Sequence, residues 1–365
     1  MMDKYISNKV RTMKISVTGL MVVVLASISS GALADMAMTE AEEMAIAEKI
    51  VGPTNNDDNC ESCHTLESEA WQFTHHFATF QTRHRSEEAR EILTAMEERS
   101  MKRAPQCRQC HYTNEVANGR LRATFGVSCE SCHGPARDWL AIHSKVGGDI
   151  NNSDLKWGTG RNEDTASREA RLGMAQEMGM IHSRMTYDIA KNCFGCHTVP
   201  NEEIVNKGGH KSGSDFELVA WSQGEVRHNF VSSAGAPDSP TNDLSPIEQL
   251  RRLYVTGLMV DLETTIRNLA AVQESEGKFH IAMVERANLV RGKLDTLLAT
   301  VAIPEIKDAL AVVPDNFDAS TSVDSATADV LGAAAQAFLA AEDGSGISAV
   351  DALLPTSYQG DAYGG

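Results

Sequence analysis

The chain is poor in aromatic and in basic residues. Phe, Trp and Tyr make up only 5% of its 365 residues, which is little material for the core of a domain of this length. Lys and Arg number 33 against 50 Asp and Glu, and the formal net charge is −17. This acidity argues against nucleic acid or anionic lipid as a partner, and it favours either a basic partner protein or simple solubility.

Long apolar runs are also scarce, and the only one lies within residues 1–34. This segment has four basic residues, then the run ISVTGLMVVVLASIS, then Ala-Leu-Ala at 32–34, small residues that signal peptidase accepts. The run is shorter than the roughly 20 residues that span a bilayer, so a cleaved signal peptide is favoured over an uncleaved anchor. We expect export to the periplasm or cell surface, no transmembrane segment after cleavage, and a mature charge of about −20.

Cysteine is absent outside one short motif. The eight cysteines form four copies of Cys-x-x-Cys-His, which we number motif 1 (60–64), motif 2 (107–111), motif 3 (129–133) and motif 4 (193–197). This spacing lets two thiols reach the two vinyl groups of one porphyrin while the next histidine turns under its iron. We therefore expect four covalently bound haems of the c type, attached through Cys60, Cys63, Cys107, Cys110, Cys129, Cys132, Cys193 and Cys196, with His64, His111, His133 and His197 each binding one iron.

Two other uses of the cysteines are less favoured. Cys-x-x-Cys pairs can hold zinc together with a second pair or with histidines, and the chain has enough of both for several tetrahedral sites. Thioredoxin-type dithiols do not require a histidine after every second cysteine, and the sequence lacks the βαβ pattern in which they occur.

Haem would supply the core that the composition lacks. Residues 52–235 contain all four motifs and have long stretches rich in Gly, Asn, Asp and Ser. Four macrocycles would fill such a domain, so we expect folding and haem binding to be one process. The expected fold is mainly α with long irregular loops: a signal peptide (1–34), a haem-packed tetrahaem cytochrome c domain (35–235), an α-helical region (236–313), and an alanine-rich helix with a flexible tail (314–365).

Several segments have the apolar spacing of helices. The clearest begins with Ser245 as N-cap, Pro246 in the first turn and Glu248 as the third residue of a capping box. Ser214, with Glu217 three residues on, predicts a cap of the same kind. Further helices are predicted at 35–51, 86–103, 278–301, 304–313 and 325–342. The C-terminal helices are expected to pack over the haem domain or to form a partner surface.

Histidines are in surplus over the iron faces that the motifs leave open. Eight lie outside the motifs, against four open faces; they are His75, His76, His84, His143, His182, His210, His228 and His280. Eight are enough to give every iron a second histidine. Six-coordinate iron of this type cannot bind a substrate, so it can only pass electrons.

Two segments resemble a known family. "GVSCESCHGPARDWLAIH" has Gly-Pro after motif 3 and a histidine, His143, ten residues after His133. "CESCHTLESEAWQFTHH" has Trp71 after motif 1 and, five residues on, His76. Both look like segments of the tetrahaem cytochrome c-554 family (the cytochrome c-552/c-554 domain), and the resemblance covers roughly residues 55–200.

The resemblance implies a set of second iron ligands. In that family the two downstream histidines serve haems other than the one their own motif anchors, which assigns His143 to motif 1 and His76 to motif 3. The family also has a histidine shortly before motif 4, where His182 is the nearest here. It leaves the haem of motif 2 open on one side, whereas this chain offers His210 and His228, either of which can close that haem.

Two classes of function follow. The first is an electron carrier in the periplasm or at the cell surface, mostly bis-histidine ligated, that passes electrons between redox partner proteins; self-association stays open. The second is a multihaem oxidoreductase that acts on nitric oxide, hydroxylamine or nitrite at one five-coordinate haem. The carrier is favoured, because histidine is in surplus and every motif has the same form. Met174, Met178, Met180 and Met185 precede motif 4 and are expected to pack on a porphyrin rather than bind iron.

Overall fold

The structure is a computed structural model that describes residues 38–54, 59–144, 163–230 and 241–364. The predicted signal peptide lies outside the described residues. Leu33–Gly365 forms one compact unit. Within the described residues, no helix is both long and apolar enough to cross a membrane.

The part of the chain that contains the motifs consists of short helices and one hairpin. The helices are α1 (Glu40–Ala47), α2 (Thr65–Gln72), α3 (His75–Thr82), α4 (Glu87–Ala95), α5 (Pro105–His111), α6 (Cys129–His133), α7 (Leu140–His143), α8 (Thr165–Glu177), α9 (Thr186–His197), α10 (Glu202–Asn206) and α11 (Leu218–Ser222). Strands β1 (Thr113–Ala117) and β2 (Arg120–Phe125) pair antiparallel between motifs 2 and 3. The mainly α prediction is confirmed.

The C-terminal part consists of longer helices around a central one. They are α12 (Ile247–Ala271), α13 (Lys278–Thr300), α14 (Pro304–Leu310) and α15 (Ser325–Ala341). Helix α12 is buried on nearly all sides, because α9, α11, α13 and α15 pack around it. The helix of motif 4 is thereby part of the same apolar core, through Ala190 and Phe194.

Several helix ends differ from the sequence prediction. Helix α4 stops at Ala95 rather than near residue 103, because Glu97 adopts a left-handed conformation (φ 60°) and the Glu98 amide bonds back to the Leu93 carbonyl, as in a Schellman cap. The Ser245 capping box does not form, since the Ser245 amide donates to Gln223 instead.

The short helix α11 also begins later than predicted. Its N-cap is Glu217 and not Ser214, because the Glu217 carboxylate accepts hydrogen bonds from the amides of Val219 and Ala220. A side-chain oxygen at the N-cap satisfies amides that have no partner within the helix. Ser214 is thereby left in the preceding loop, beside motif 4.

The C-terminal tail, expected to be flexible, is bonded to the motif-bearing part of the chain. Gln359 exchanges two backbone hydrogen bonds with Ala220 and Glu225, both 2.9 Å long. The Tyr363 hydroxyl donates to Glu69 at 2.7 Å, and its ring stacks on Phe73 with centroids 4.9 Å apart. The tail therefore connects α2 to the loop that follows α11.

A buried ionic cluster joins motif 4 to the C-terminal core. The Glu263 side chain on α12 is 1% exposed, accepts from Tyr187 and Lys191 on α9, and pairs with Arg267 at 3.0 Å. Burial and the Glu263 charge raise the pKa of Tyr187. Gly332 on α15 leaves the space for this cluster, since a Cβ there would lie 2.6 Å from the Tyr187 hydroxyl.

We predict that Glu263→Ala strongly destabilises the protein. It removes the carboxylate that pairs with the half-buried Lys191 and leaves Arg267 with Asp329 on α15, and breaking a buried ion pair on one side costs about 3–5 kcal/mol. Urea unfolding of the holoprotein, followed by circular dichroism, measures the loss. Glu285→Ala, on the exposed face of α13, is the matched control and is expected to change stability by less than about 0.5 kcal/mol. Equal losses in the two variants would contradict the role of the cluster.

Candidate functional site

The four motifs occupy helix ends. Helices α5, α6 and α9 each end at the motif histidine, and His64 of motif 1 is the N-cap residue of α2. A helical turn places the second cysteine and the histidine of a motif on the same side as its first cysteine, since residues three and four apart are neighbours on a helix. After motif 3 the chain turns at Gly134 (φ 81°), where a Cβ would lie 2.3 Å from the carbonyl oxygen of Gly179.

Each motif histidine faces a second histidine from a distant part of the chain. The four pairs have nearly the same separation between ring centroids. They are His64–His143 at 6.0 Å, His111–His210 at 6.3 Å, His133–His228 at 6.2 Å and His197–His76 at 6.2 Å. Among the eight histidines outside the motifs, the structure thus brings His76, His143, His210 and His228 to the motifs.

The separations fit an iron atom between the two rings. A metal–imidazole bond is about 2 Å long and the ring centroid lies about 1 Å behind the nitrogen, so two imidazoles on opposite faces of one iron have centroids about 6 Å apart. All four pairs lie within 0.3 Å of one another in this separation. The residues present therefore fit a haem in each of the four places.

The positions of His143 and His76 bear on the ligands implied by the resemblance. His143, at the end of α7, lies opposite His64 of motif 1, the expected partner. His76, near the start of α3, lies opposite His197 of motif 4, whereas the resemblance pointed to motif 3. Thr79 holds this part of α3 against motif 2, since its hydroxyl bonds to the carbonyls of His76 and His111.

His210 and His228 take different partners. The sequence placed one of the two opposite motif 2, and the structure places His210 there and His228 opposite motif 3. Both lie in loops, and both have the Nδ1 atom on a nearby carbonyl: Lys211 at 2.7 Å and Val226 at 2.6 Å. These contacts occupy Nδ1 and leave Nε2 of each ring as the atom that could bind a metal.

His182 lies outside the four pairs. Its Nδ1 accepts a hydrogen bond from the Arg184 amide at 3.1 Å, and its own amide donates to the Met185 sulfur. His75, which pairs with Glu225 at 2.6 Å, and the buried His280, which accepts from the Glu276 amide, are likewise occupied elsewhere. The structure thus offers a local role for His182 in the turn before α9.

Groups behind the motif histidines differ from haem to haem. The Nδ1 atom of His133 is bonded to the Ile181 carbonyl at 2.8 Å, that of His197 lies 3.4 Å from the Ser214 hydroxyl, and that of His64 lies 3.8 Å from Glu67. Such partners fix the orientation of a ligating imidazole and tune its basicity. Sequence reasoning missed Glu67 and Ser214 in this role, because a short-range contact to a ring nitrogen has no sequence pattern of its own.

Burial keeps these imidazoles neutral. The pKa values of His111, His133 and His197 are lowered to about 4, and that of His143 to about 3. Loss of solvation is the main cause, and nearby positive charge is a smaller one. A neutral imidazole is the form that binds a metal, because the proton would otherwise occupy the ligating nitrogen. The rings are therefore in a metal-binding state at neutral pH.

The motifs adjoin one another through their cysteines. Cys60 of motif 1 lies beside Cys129 of motif 3, and Cys110 of motif 2 lies beside Cys196 of motif 4, close enough for each sulfur to shift the pKa of the other. Asn192, just before motif 4, donates to the Cys132 carbonyl of motif 3 at 2.8 Å. These contacts connect the motifs in the spatial order 1, 3, 4, 2.

The arrangement of the cysteines gives little support to the zinc and dithiol interpretations. No two of the eight cysteines form a disulfide. In the part of the chain that the structure describes, no group of three or more His, Cys, Asp or Glu residues surrounds a point where a metal ion could bind. A tetrahedral zinc site requires four such ligands around one point.

Comparison with known families gives one match. Residues 59–134 match the family described as cytochrome c554 and c-prime. The matched segment contains motifs 1, 2 and 3 and ends before motif 4, so it is shorter than the resemblance at 55–200. No curated protein and no solved structure is significantly similar to the chain. The match supports a c-type cytochrome of the c554 type, with covalently bound haem and electron transfer as its chemistry.

Proposed function

We propose that this protein is an exported electron carrier with four covalently bound haems, each held between two histidines. The observation that carries the proposal is the set of four histidine pairs, one for each motif, with ring centroids 6.0–6.3 Å apart. Haem, when bound, supplies reversible one-electron transfer at its iron. The protein acts between redox partner proteins in the periplasm or at the cell surface.

The residues of the chain keep each iron closed. A second histidine on the open face excludes substrates and small ligands, and the closed coordination changes little between the oxidised and reduced states. His210 is decisive in this respect, since it occupies the face that the cytochrome c-554 resemblance leaves open at motif 2. That position favours the carrier over an enzyme that acts on nitrogen compounds.

The four motifs also lie close enough to one another for electrons to pass between the haems that we propose they bind. Cys60 lies beside Cys129 and Cys110 beside Cys196, which places motif 1 next to motif 3 and motif 2 next to motif 4. The hydrogen bond from Asn192 to the Cys132 carbonyl joins motif 3 to motif 4. Electrons can therefore pass along the order 1, 3, 4, 2. Motifs 1 and 2, at the two ends of that order, are where partner proteins would exchange electrons.

The proposal predicts a protein with four haems and no open iron. The intact mass of the exported protein should exceed that of its polypeptide by four haems, and the electron paramagnetic resonance spectrum of the oxidised form should be low spin throughout. Carbon monoxide should leave the Soret band of the reduced protein unchanged. A mass with zinc or free thiols, or a high-spin signal from the wild-type protein, would overturn the proposal.

A further inference from the structure

Asn242 holds the backbone on both sides of His228. Its Nδ2 donates to the carbonyl of Arg227 at 2.7 Å, and its Oδ1 accepts from the amide of Asn229 at 2.8 Å. These are the residues immediately before and after His228. The Asn242 side chain is buried, with 1% of the residue exposed.

The same side chain anchors this loop to the C-terminal tail. The second Nδ2 hydrogen of Asn242 goes to the carbonyl of Tyr363 at 2.8 Å. An asparagine amide has two donor hydrogens, and both are used here. The Tyr363 hydroxyl and ring in turn contact Glu69 and Phe73, which belong to the segment that follows motif 1.

His228 depends on such contacts because it lies in a loop. Residues 223–230 form turns after α11, so helical hydrogen bonds do not fix the position of its backbone. His76 and His143, in contrast, lie on helices α3 and α7. The Nδ1 contact of His228 to Val226 fixes the ring relative to the loop but not the loop relative to motif 3.

We infer that Asn242 is the positioning residue that holds His228 at the haem iron of motif 3. The inference rests on the proposed function, since it takes His228 as an iron ligand. Without the Asn242 amide the loop keeps its sequence and its histidine but loses three hydrogen bonds that set its position. His228 then leaves the iron for part of the time, and the haem of motif 3 becomes accessible to external ligands.

Three variants of the full-length holoprotein test the inference. Asn242→Ala removes all three hydrogen bonds. Asn242→Asp keeps the shape and the acceptor but places a carboxylate against two carbonyls. Asn288→Ala is the matched control. Asn288, among the C-terminal helices, accepts from the Phe317 amide at 2.8 Å and donates to the Phe317 carbonyl at 2.9 Å, so it holds backbone in the same way but away from the motifs.

The readouts are haem content by intact mass, the spin state of the oxidised protein, and carbon monoxide binding to the reduced protein. Both Asn242 variants should keep four haems and should bind carbon monoxide at one haem, with a shift of up to about a quarter of the Soret absorbance. Asn288→Ala should bind none. Added imidazole should restore the low-spin spectrum of the Asn242 variants, because it occupies the open face.

His228→Ala separates the failure of this inference from the failure of the proposed function. If that variant keeps four haems and binds no carbon monoxide, His228 is not a ligand and the proposed ligation fails. If it opens one haem while both Asn242 variants stay closed, the ligation stands and the role of Asn242 is refuted. Loss of haem from both Asn242 variants would also refute it, since Asn242 would then be a general folding residue.

Discussion

Replacing His210 by alanine is expected to convert one haem in four from low to high spin. The His210 ring lies 6.3 Å from that of His111 across the place of the motif 2 haem, and we propose that it is the second ligand there. After its removal the iron keeps one histidine, so carbon monoxide should shift about a quarter of the Soret absorbance of the reduced protein. The same variant is expected to acquire binding of nitric oxide, which the wild-type protein should lack.

Two other histidines supply the controls for this experiment. His182→Ala and His84→Ala each remove a histidine outside the four pairs, and both should leave the spectrum and the carbon monoxide response unchanged. If His182→Ala instead opens a haem, the ligand set must be revised in its favour. If His210→Ala stays closed with four haems bound, motif 2 has another second ligand, and the assignment of His210 to this haem is wrong.

A chain without haem is expected to lose the motif-bearing part of its structure and keep the C-terminal helices. The core around α12 consists of protein side chains, among them Leu258, Leu262, Leu294 and Leu331. The clusters nearer the first three motifs are small, as around Trp139 and Leu172. Replacing all eight cysteines by alanine should therefore remove roughly half of the helical signal in circular dichroism, because haem binding and folding are coupled only in the first part.

Limited proteolysis locates the loss. In the cysteine-free chain, cleavage should concentrate within 52–185, while a fragment that contains α12–α15 resists. The holoprotein under the same conditions is the control and should be cut slowly throughout. Complete loss of helical signal in the cysteine-free chain would contradict a separate C-terminal core, and full retention would contradict the role of haem as the core of the first part.

The sequence predicted the chemistry of the sites better than their partners. Four copies of Cys-x-x-Cys-His and a surplus of histidine point to haem iron, and the helical spacing of α12, α13 and α15 follows from their apolar residues. Which second histidine faces which motif depends on how the loops fold back. His76 lies 12 residues after His64 in the chain, yet the structure brings it to His197, and local spacing contains no trace of this.

The sequence pattern also failed to predict some helix ends and the contacts of the C-terminal tail. Ser245 followed by Glu248 has the form of a capping box, but the loop after α11 offers the Ser245 amide a better partner in Gln223. The Gly-rich sequence of the tail predicts flexibility. In the structure the Gln359 carbonyl accepts from the Glu225 amide and the Tyr363 ring stacks on Phe73, both more than 100 residues away in the chain. Tertiary contacts decided each of these cases over local preference.

The overlap of the four histidine pairs determines the order in which the two histidines of each pair reach the far side of the membrane. Each pair joins segments about 80 to 120 residues apart, and the stretch between His133 and His143 lies inside all four spans. A chain that crosses a membrane from its N-terminus delivers motif 1 long before His143, and motif 3 long before His228. On the proposed ligation, the haems of motifs 1, 2 and 3 therefore pass through an interval with one face uncovered, and the arrival of His143, His210 and His228 ends it. Motif 4 differs, because its second histidine, His76, crosses the membrane before it.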